Sequence, residues 1–247
     1  MHNQKTIAVV SRHEGVPMRK IVVFTLILGA VLASCAGKKV GIQNNPALDA
    51  KLLAAVKENK PKAVQRMLAK GANPNAAVEG GKNTVFHFAL YMNDAKAIAM
   101  LLDAGADVNA PDKANTSPLS LAAQRNNVDV IALLLDAGVD VNTVNKNAIW
   151  STALMDAAES NSLDAMKALM ARGADINIVD KWNAPAITIA ADKNNDAAVR
   201  ILAEAGAELN IVDSGRGYTA LDFAIKNKND ALVEYLRDKG AQAHVFK

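Results

Sequence analysis

A single cysteine, Cys35, in 247 residues excludes any internal disulfide framework. An unpaired thiol in an oxidising compartment is a liability unless something modifies it. Histidine is almost as scarce: of four, only His87 and His244 lie beyond Cys35. No nucleophile, base and orienter set, no zinc-ligand spacing and no glycine-rich phosphate loop is visible, so the chain reads as a non-enzyme with no cofactor and no metal. No apolar run reaches the roughly 20 residues of a membrane span; the most apolar block, Ile21 to Leu32, has 12. Aromatic residues make up 4% of the chain, so its two tryptophans stand out.

The apolar block follows Met18-Arg19-Lys20 and precedes the small residues Ala33 and Ser34. A basic start, a short apolar core and small residues before a cut point describe a secretory signal peptide over 1–34. Met18 is the expected natural start, because residues 1–17 have no place in that pattern. The sequence Leu32-Ala33-Ser34-Cys35 resembles the lipobox of bacterial lipoproteins. That resemblance implies cleavage before Cys35, a lipid on its thiol and a tether over 35–45. It also implies a place in the bacterial cell envelope, facing the periplasm, with the membrane reached only through the lipid. Ala36 stands where enteric relatives carry the Asp that retains them at the inner membrane, which favours the outer membrane.

The leader also carries the charge. Residues 1–34 hold Lys5, Arg12, Arg19 and Lys20 against Glu14, so the 28 basic and 25 acidic residues become 24 of each in the remainder. A neutral chain has no general electrostatic reason to bind nucleic acid, whose affinity rests on cations neutralising phosphates.

The region from 46 to 247 repeats itself. Gly71, Gly105, Gly138, Gly173, Gly206 and Gly240 are spaced 34, 33, 35, 33 and 34 apart, and 16 residues before each stands an alanine: Ala55, Ala89, Ala122, Ala157, Ala190 and Ala224. A period near 33 describes a solenoid, in which no unit buries its apolar face alone and stacked neighbours share one core. The third unit shows the design. Ser117 can cap a helix and Pro118 suits its first turn; Ala122-Ala123 permit close packing; Asn126-Asn127 reverse the chain. A second helix over roughly 128–136 is apolar around more than one narrow stripe, and Gly138 ends it in a left-handed cap.

These units resemble the ankyrin repeat, whose consensus opens with Thr-Pro-Leu-His and ends with Gly-Ala-Asp-x-Asn. The resemblance implies a mainly α ankyrin-repeat solenoid of six helix-turn-helix units with projecting β-turn or hairpin fingers. The opening tetrad is never whole here: it reads Thr84-Val85-Phe86-His87, Ser117-Pro118-Leu119-Ser120, Thr152-Ala153-Leu154-Met155, Pro185-Ala186-Ile187-Thr188 and Thr219-Ala220-Leu221-Asp222. The family histidine, which links neighbouring repeats, survives only at His87, so weakened cohesion between repeats is expected. Asp107, Asp140, Asp175 and Glu208 recur at one position of successive units and read as loop structure rather than catalytic carboxylates.

The family binds proteins through its finger tips and the exposed face of its first helices. Carried over by position, this implies partner contacts at Tyr91, Met92, Lys113, Arg125, Trp150, Ser151, Glu159, Lys181, Trp182, Asp192, Lys193 and Tyr218. Trp150 and Trp182 lie in fingers, and Trp is a favoured interface anchor. The expected function is a monomeric, lipid-anchored adaptor, inhibitor or immunity factor that blocks or shields a periplasmic enzyme such as a cell-wall peptidase. A non-inhibitory envelope scaffold is the alternative, and a carboxylate-dependent enzyme a remote one.

Overall fold

The computed structural model describes residues 45–78 and 81–245. The expected leader, Cys35 and nearly all of the tether lie outside the described residues.

Among the described residues the helices come in six consecutive pairs. The inner members are α1 (Pro46–Lys57), α3 (Val85–Tyr91), α5 (Pro118–Gln124), α7 (Ala153–Glu159), α9 (Ala186–Asp192) and α11 (Ala220–Lys226). Their outer partners are α2 (Pro61–Ala69), α4 (Ala95–Asp103), α6 (Val128–Asp136), α8 (Leu163–Ala171), α10 (Asp196–Glu204) and α12 (Asp230–Asp238). Each helix is built by its ends. Ser117 Oγ accepts from Ser120 N–H and Pro118 opens α5, while Asp94, Asn127 and Asn229 cap α4, α6 and α12. Helices shorter than about 12–15 residues are marginal alone, so stacking must hold these in place.

The stacking follows the alanine register. All six repeated alanines are buried, and the inner helices pack in chain order, most closely from α5 through α11. Outer helices form a second row from α2 to α10. They contribute pairs such as Ile131 and Leu134, or Val199 and Leu202, that are almost completely buried.

Two left-handed positions recur in every unit. Gly138 and its five equivalents have φ between 87° and 92° after the outer helix, and Asn59, Asn93, Asn126, Asn161, Asn194 and Lys228 have φ between 50° and 58° in the turn between helices. The second series shares the spacing of the glycines. Asparagine tolerates this region because its short polar side chain bonds locally.

Cohesion between repeats does not depend on the family histidine alone. His87 makes its link, with Nε2 2.9 Å from the Ala110 carbonyl and Nδ1 accepting from Thr84 N–H. Elsewhere asparagines do the same work. Asn75, Asn142, Asn177 and Asn210 accept, through Oδ1, from the backbone N–H of Asp107, Asp175, Glu208 and Gln242 in the following repeat. Asn195 Nδ2 donates back to the carbonyls of Ala158 and Glu159, and Asn227 Nδ2 to that of Ala191. The expected weakening is thus offset by a ladder of side-chain to backbone bonds.

The fingers between pairs are turns rather than strands. Among the described residues they carry only isolated antiparallel bridges, Ala77 with Thr84 and Val179 with Pro185. Asp107, Asp140 and Asp175 each accept, through Oδ1, from the N–H two residues on, so their recurrence is loop structure.

Candidate protein-binding face

Four of the fingers are closed by a backbone bond across the base: Asp112 N–H to Thr116 O, Asn145 N–H to Ser151 O, Asp180 N–H to Ala184 O, and Asp213 N–H to Tyr218 O. In the regular fingers an aspartate organises the turn. Asp180 Oδ1 accepts from Trp182 and Ala184 N–H, both at 2.8 Å, which holds the Trp182 backbone on a fixed loop. Neighbouring fingers are also joined, Lys181 N–H to Ile149 O at 3.1 Å and Ser214 N–H to Trp182 O at 2.7 Å.

The tryptophans therefore sit on interlocked fingers. Trp150 is 56% exposed and Trp182 41%. Trp182 is partly occupied by its own chain: Lys181 Nζ lies 4.3 Å from its ring centroid, and a Cβ on Gly215 would stand 3.5 Å from Trp182 Cδ1. Trp150 is different. It has φ +61°, at the finger position where Asn115, Asn183 and Gly217 are also left-handed. A bulky aromatic residue is strained there in a way that Asn and Gly are not.

Trp182 forms one wall of a cavity of about 390 Å³, together with Ile149, Ile189 and Phe223. Glu159, Asp192, Lys193 and Arg216 complete the rim. Their charges form two pairs across repeats, Lys193 Nζ to Glu159 Oε1 and Arg216 to Asp192 Oδ1, each at 2.8 Å. The Glu159 carboxylate, by hydrogen bond and charge, raises the pKa of Lys193, and Asp192 does the same for Arg216.

The structure thus gathers Glu159, Trp182, Asp192 and Lys193 at one site, with Lys181 against its tryptophan. Tyr218 contacts Phe223 edge-on at 5.2 Å. Tyr91, Met92, Lys113 and Arg125 form a second group. Tyr91 Oη donates to Asp112 Oδ2 at 2.8 Å, and burial with that carboxylate beside it pushes its pKa up to about 12. The Arg125 guanidinium lies 5.9 Å from the Tyr91 ring, Lys113 is exposed and Met92 is 50% exposed.

Ser151 requires a correction. The repeat register assigns it to the contact surface, but it is fully buried and its hydroxyl donates to Asp156 Oδ2 at 3.1 Å. Two residues important to this face escaped the register altogether. Arg216 closes the cavity rim, and Asp156 is buried where equivalent inner-helix positions hold Phe88, Leu121, Ile189 and Phe223. A lone charge in that apolar column is the signal that could have found it.

Among the described residues there is no grouping of three or more His, Cys, Asp or Glu suited to a metal, and no helix is long and apolar enough to cross a membrane. A family model described as ankyrin repeats (3 copies) matches residues 52–145 and 152–247. The chain belongs to the ankyrin-repeat family. The crystal structure of the ankyrin repeat domain of Bcl-3, described as a unique member of the IkappaB protein family, is similar at 26% identity and TM-score 0.69, over 78% of this chain and 86% of that one. The ARF GTPase-activating protein Git of Drosophila melanogaster is 40% identical over 75 residues, 30% of this chain and 10% of Git. This ankyrin chain therefore matches only about a tenth of that relative's length. Ankyrin repeats are a protein–protein interaction module and typically a non-enzymatic scaffold, so the partner class they imply is a protein.

Proposed function

We propose that this ankyrin protein is a lipid-tethered binding factor of the bacterial envelope that holds a periplasmic enzyme on its finger face and blocks or shields it. The observation that carries the reading is the pair of exposed tryptophans, Trp150 and Trp182, on fingers tied to each other through backbone hydrogen bonds. Aromatic anchors on a rigid support lose little conformational entropy on binding, which favours them as interface hot spots. Location rests on the lipobox-like Leu32-Ala33-Ser34-Cys35.

The test is capture from envelope extract with wild type and with the Trp150→Ala, Trp182→Ala double variant. The wild type is expected to retain a partner and the variant to lose it, by roughly 30-fold in affinity for about 2 kcal/mol of interface energy. Full retention by a folded variant moves the contact surface elsewhere, to the Tyr91, Met92 and Arg125 group. Titrating the activity of the captured enzyme separates a blocking factor from a passive scaffold. Labelling with a tagged fatty acid tests the anchor: Cys35→Ser is expected to abolish incorporation, since a hydroxyl does not replace the thiolate nucleophile, and undiminished labelling overturns the lipoprotein reading.

A further inference from the structure

The cavity beside Trp182 contains a polar group that its own repeat leaves unanswered. Thr188 lines it, is 2% exposed, and its Oγ1 has no hydrogen-bond partner. The cause is local. In other units the residue at this place meets a capping hydroxyl: His87 Nδ1 lies 3.0 Å from Thr84 Oγ1, and Asp222 Oδ2 accepts from Thr219 Oγ1. In α9 the cap is Pro185, which has neither a hydroxyl nor an N–H. Buried hydroxyls are ordinarily satisfied, and an exception asks what completes it.

The charges around this hydroxyl point to the answer. Four carboxylates line the cavity, Glu159, Asp180, Asp192 and Asp213, against two cations, Lys193 and Arg216. Each of these two cations is already held by one carboxylate, which leaves Asp180 and Asp213 beyond the two pairs, while Lys181, 4.3 Å from the Trp182 ring, and Lys226, 5.7 Å from the Phe223 ring, stand beside two of the walls. The two aspartates each use Oδ1 to hold their own finger's N–H groups. The remaining walls, Ile149, Trp182, Ile189 and Phe223, are apolar or aromatic. The cavity therefore combines two carboxylates beyond those its own cations hold, apolar walls suited to a long stem and an unfilled hydroxyl acceptor.

We infer that this cavity receives one basic side chain, arginine in preference to lysine, from an extended segment of the partner protein. The stem lies along Trp182 and Ile189, the guanidinium sits among the carboxylates, and Thr188 Oγ1 accepts one of its N–H groups. Arginine is preferred because its five donors can serve several acceptors at once. A peptide rather than a free amine is the occupant because the cavity adjoins the exposed finger residues Trp150 and Lys181, which a longer chain would also touch. The inference deepens the protein-binding reading and rests on it.

The test needs no identified partner. In a Trp150→Phe background Trp182 is the sole tryptophan, and its fluorescence reports on the cavity. The probes are acetyl-Gly-Gly-Arg-Gly-Gly-amide, the same peptide with neutral citrulline or with glutamate in place of arginine, and free arginine amide. The arginine peptide is expected to saturate with a dissociation constant on the order of 1 mM, as befits a small ligand, with citrulline about tenfold weaker and glutamate not binding. Asp192→Asn and Thr188→Val are each expected to weaken the arginine peptide several-fold. Thr188→Val should at the same time raise the melting temperature, because it removes a buried hydroxyl with no partner, and that rise shows the variant is folded. The inference is overturned if the arginine peptide fails to saturate, if citrulline or glutamate binds equally well, or if Thr188→Val leaves binding unchanged. Free arginine amide binding as tightly as the peptide also overturns it, marking a small-molecule site instead. Failure here with a partner still captured by wild type sinks only this inference; a responsive cavity with no captured partner sinks the envelope-binding reading.

Discussion

The fingers at 112–116 and 145–151 occupy the same place in successive repeats, yet they close differently. In the first, Asp112 Oδ1 accepts from Ala114 and Thr116 N–H and Asn115 takes the left-handed position. In the second, closure spans 145 to 151 instead of 112 to 116, two residues more. The turn there is organised by Asn147, whose Oδ1 accepts from Ile149, Trp150 and Ser151 N–H. The insertion thus moves the organising side chain two positions along. Asn145, released from that duty, turns inward: Oδ1 accepts from Ser117 N–H of the preceding repeat, and Nδ2 donates to Ser120 Oγ at 2.7 Å and Asp156 Oδ2 at 3.2 Å.

What the difference teaches is that one short insertion creates both a buried polar network and an exposed strained aromatic. Asp156 is only 3% exposed. Burial pushes its carboxyl above the ordinary 3.8, against hydrogen bonds from Ser120, Ser151 and Gln124 that pull it down. A buried carboxyl of this kind persists only with its partners in place. At the other end of the same finger Trp150 adopts φ +61° while remaining exposed, so folding alone does not account for the choice of tryptophan. That coincidence of strain and exposure supports the assignment of Trp150 as a contact residue.

The comparison breaks most severely at Asn145. Asn145→Ala strands the Ser117 N–H and removes a donor from Asp156, and is expected to cost about 2–3 kcal/mol by denaturant unfolding. Asp112→Ala in the regular finger removes turn bonds that lie nearer solvent, and is expected to cost about 1 kcal/mol; equal losses would show that the inward network adds nothing. Next come the glycines that launch the two fingers. Gly105 and Gly138 both have φ +92° and nothing within 4 Å of an added Cβ, so Val at either is expected to cost about 1–2 kcal/mol through the backbone alone. Unchanged melting of Gly138→Val would argue against a left-handed cap.

Exchanging the tip residues is a finer test. Asn115→Trp imports strain into the regular finger and should lose about 1 kcal/mol, whereas Trp150→Asn should gain up to about 1 kcal/mol while weakening partner retention. A stabilised variant that still binds fully would remove Trp150 from the interface. The smallest effect is a pH dependence. Because the folded state raises the Asp156 pKa, it holds that proton more tightly than the unfolded chain. The stability this contributes is complete below 3.8 and is lost as pH rises through the folded pKa. Asp156→Asn, which stays neutral, should therefore be more stable than wild type at neutral pH, with the gap closing as pH falls towards about 4. A gap that is flat across this range would place the charge effect elsewhere.

The repeat architecture was legible in the sequence because its causes are local and periodic. Ser117 and Pro118 start a helix and Gly138 ends one through neighbours a few residues away, and the alanines that let repeats pack closely show themselves by recurring at one register. Of the second left-handed series, at Asn59 and its equivalents, only the Asn126-Asn127 turn was read from the sequence, although the series repeats with the spacing of the glycines. What only the tertiary structure decided depends on residues brought together across repeats. No periodicity announces that Asn145 reaches back to Ser117 and forward to Asp156, that Ser151 is buried in the same network, or that Arg216 and Asp192 close a rim beside Trp182. The physical reason is that helix caps and glycine turns are fixed by backbone chemistry within one unit, whereas burial, charge pairing and an unanswered hydroxyl at Thr188 are properties of how units stack, and a two-residue change of loop length redistributes them.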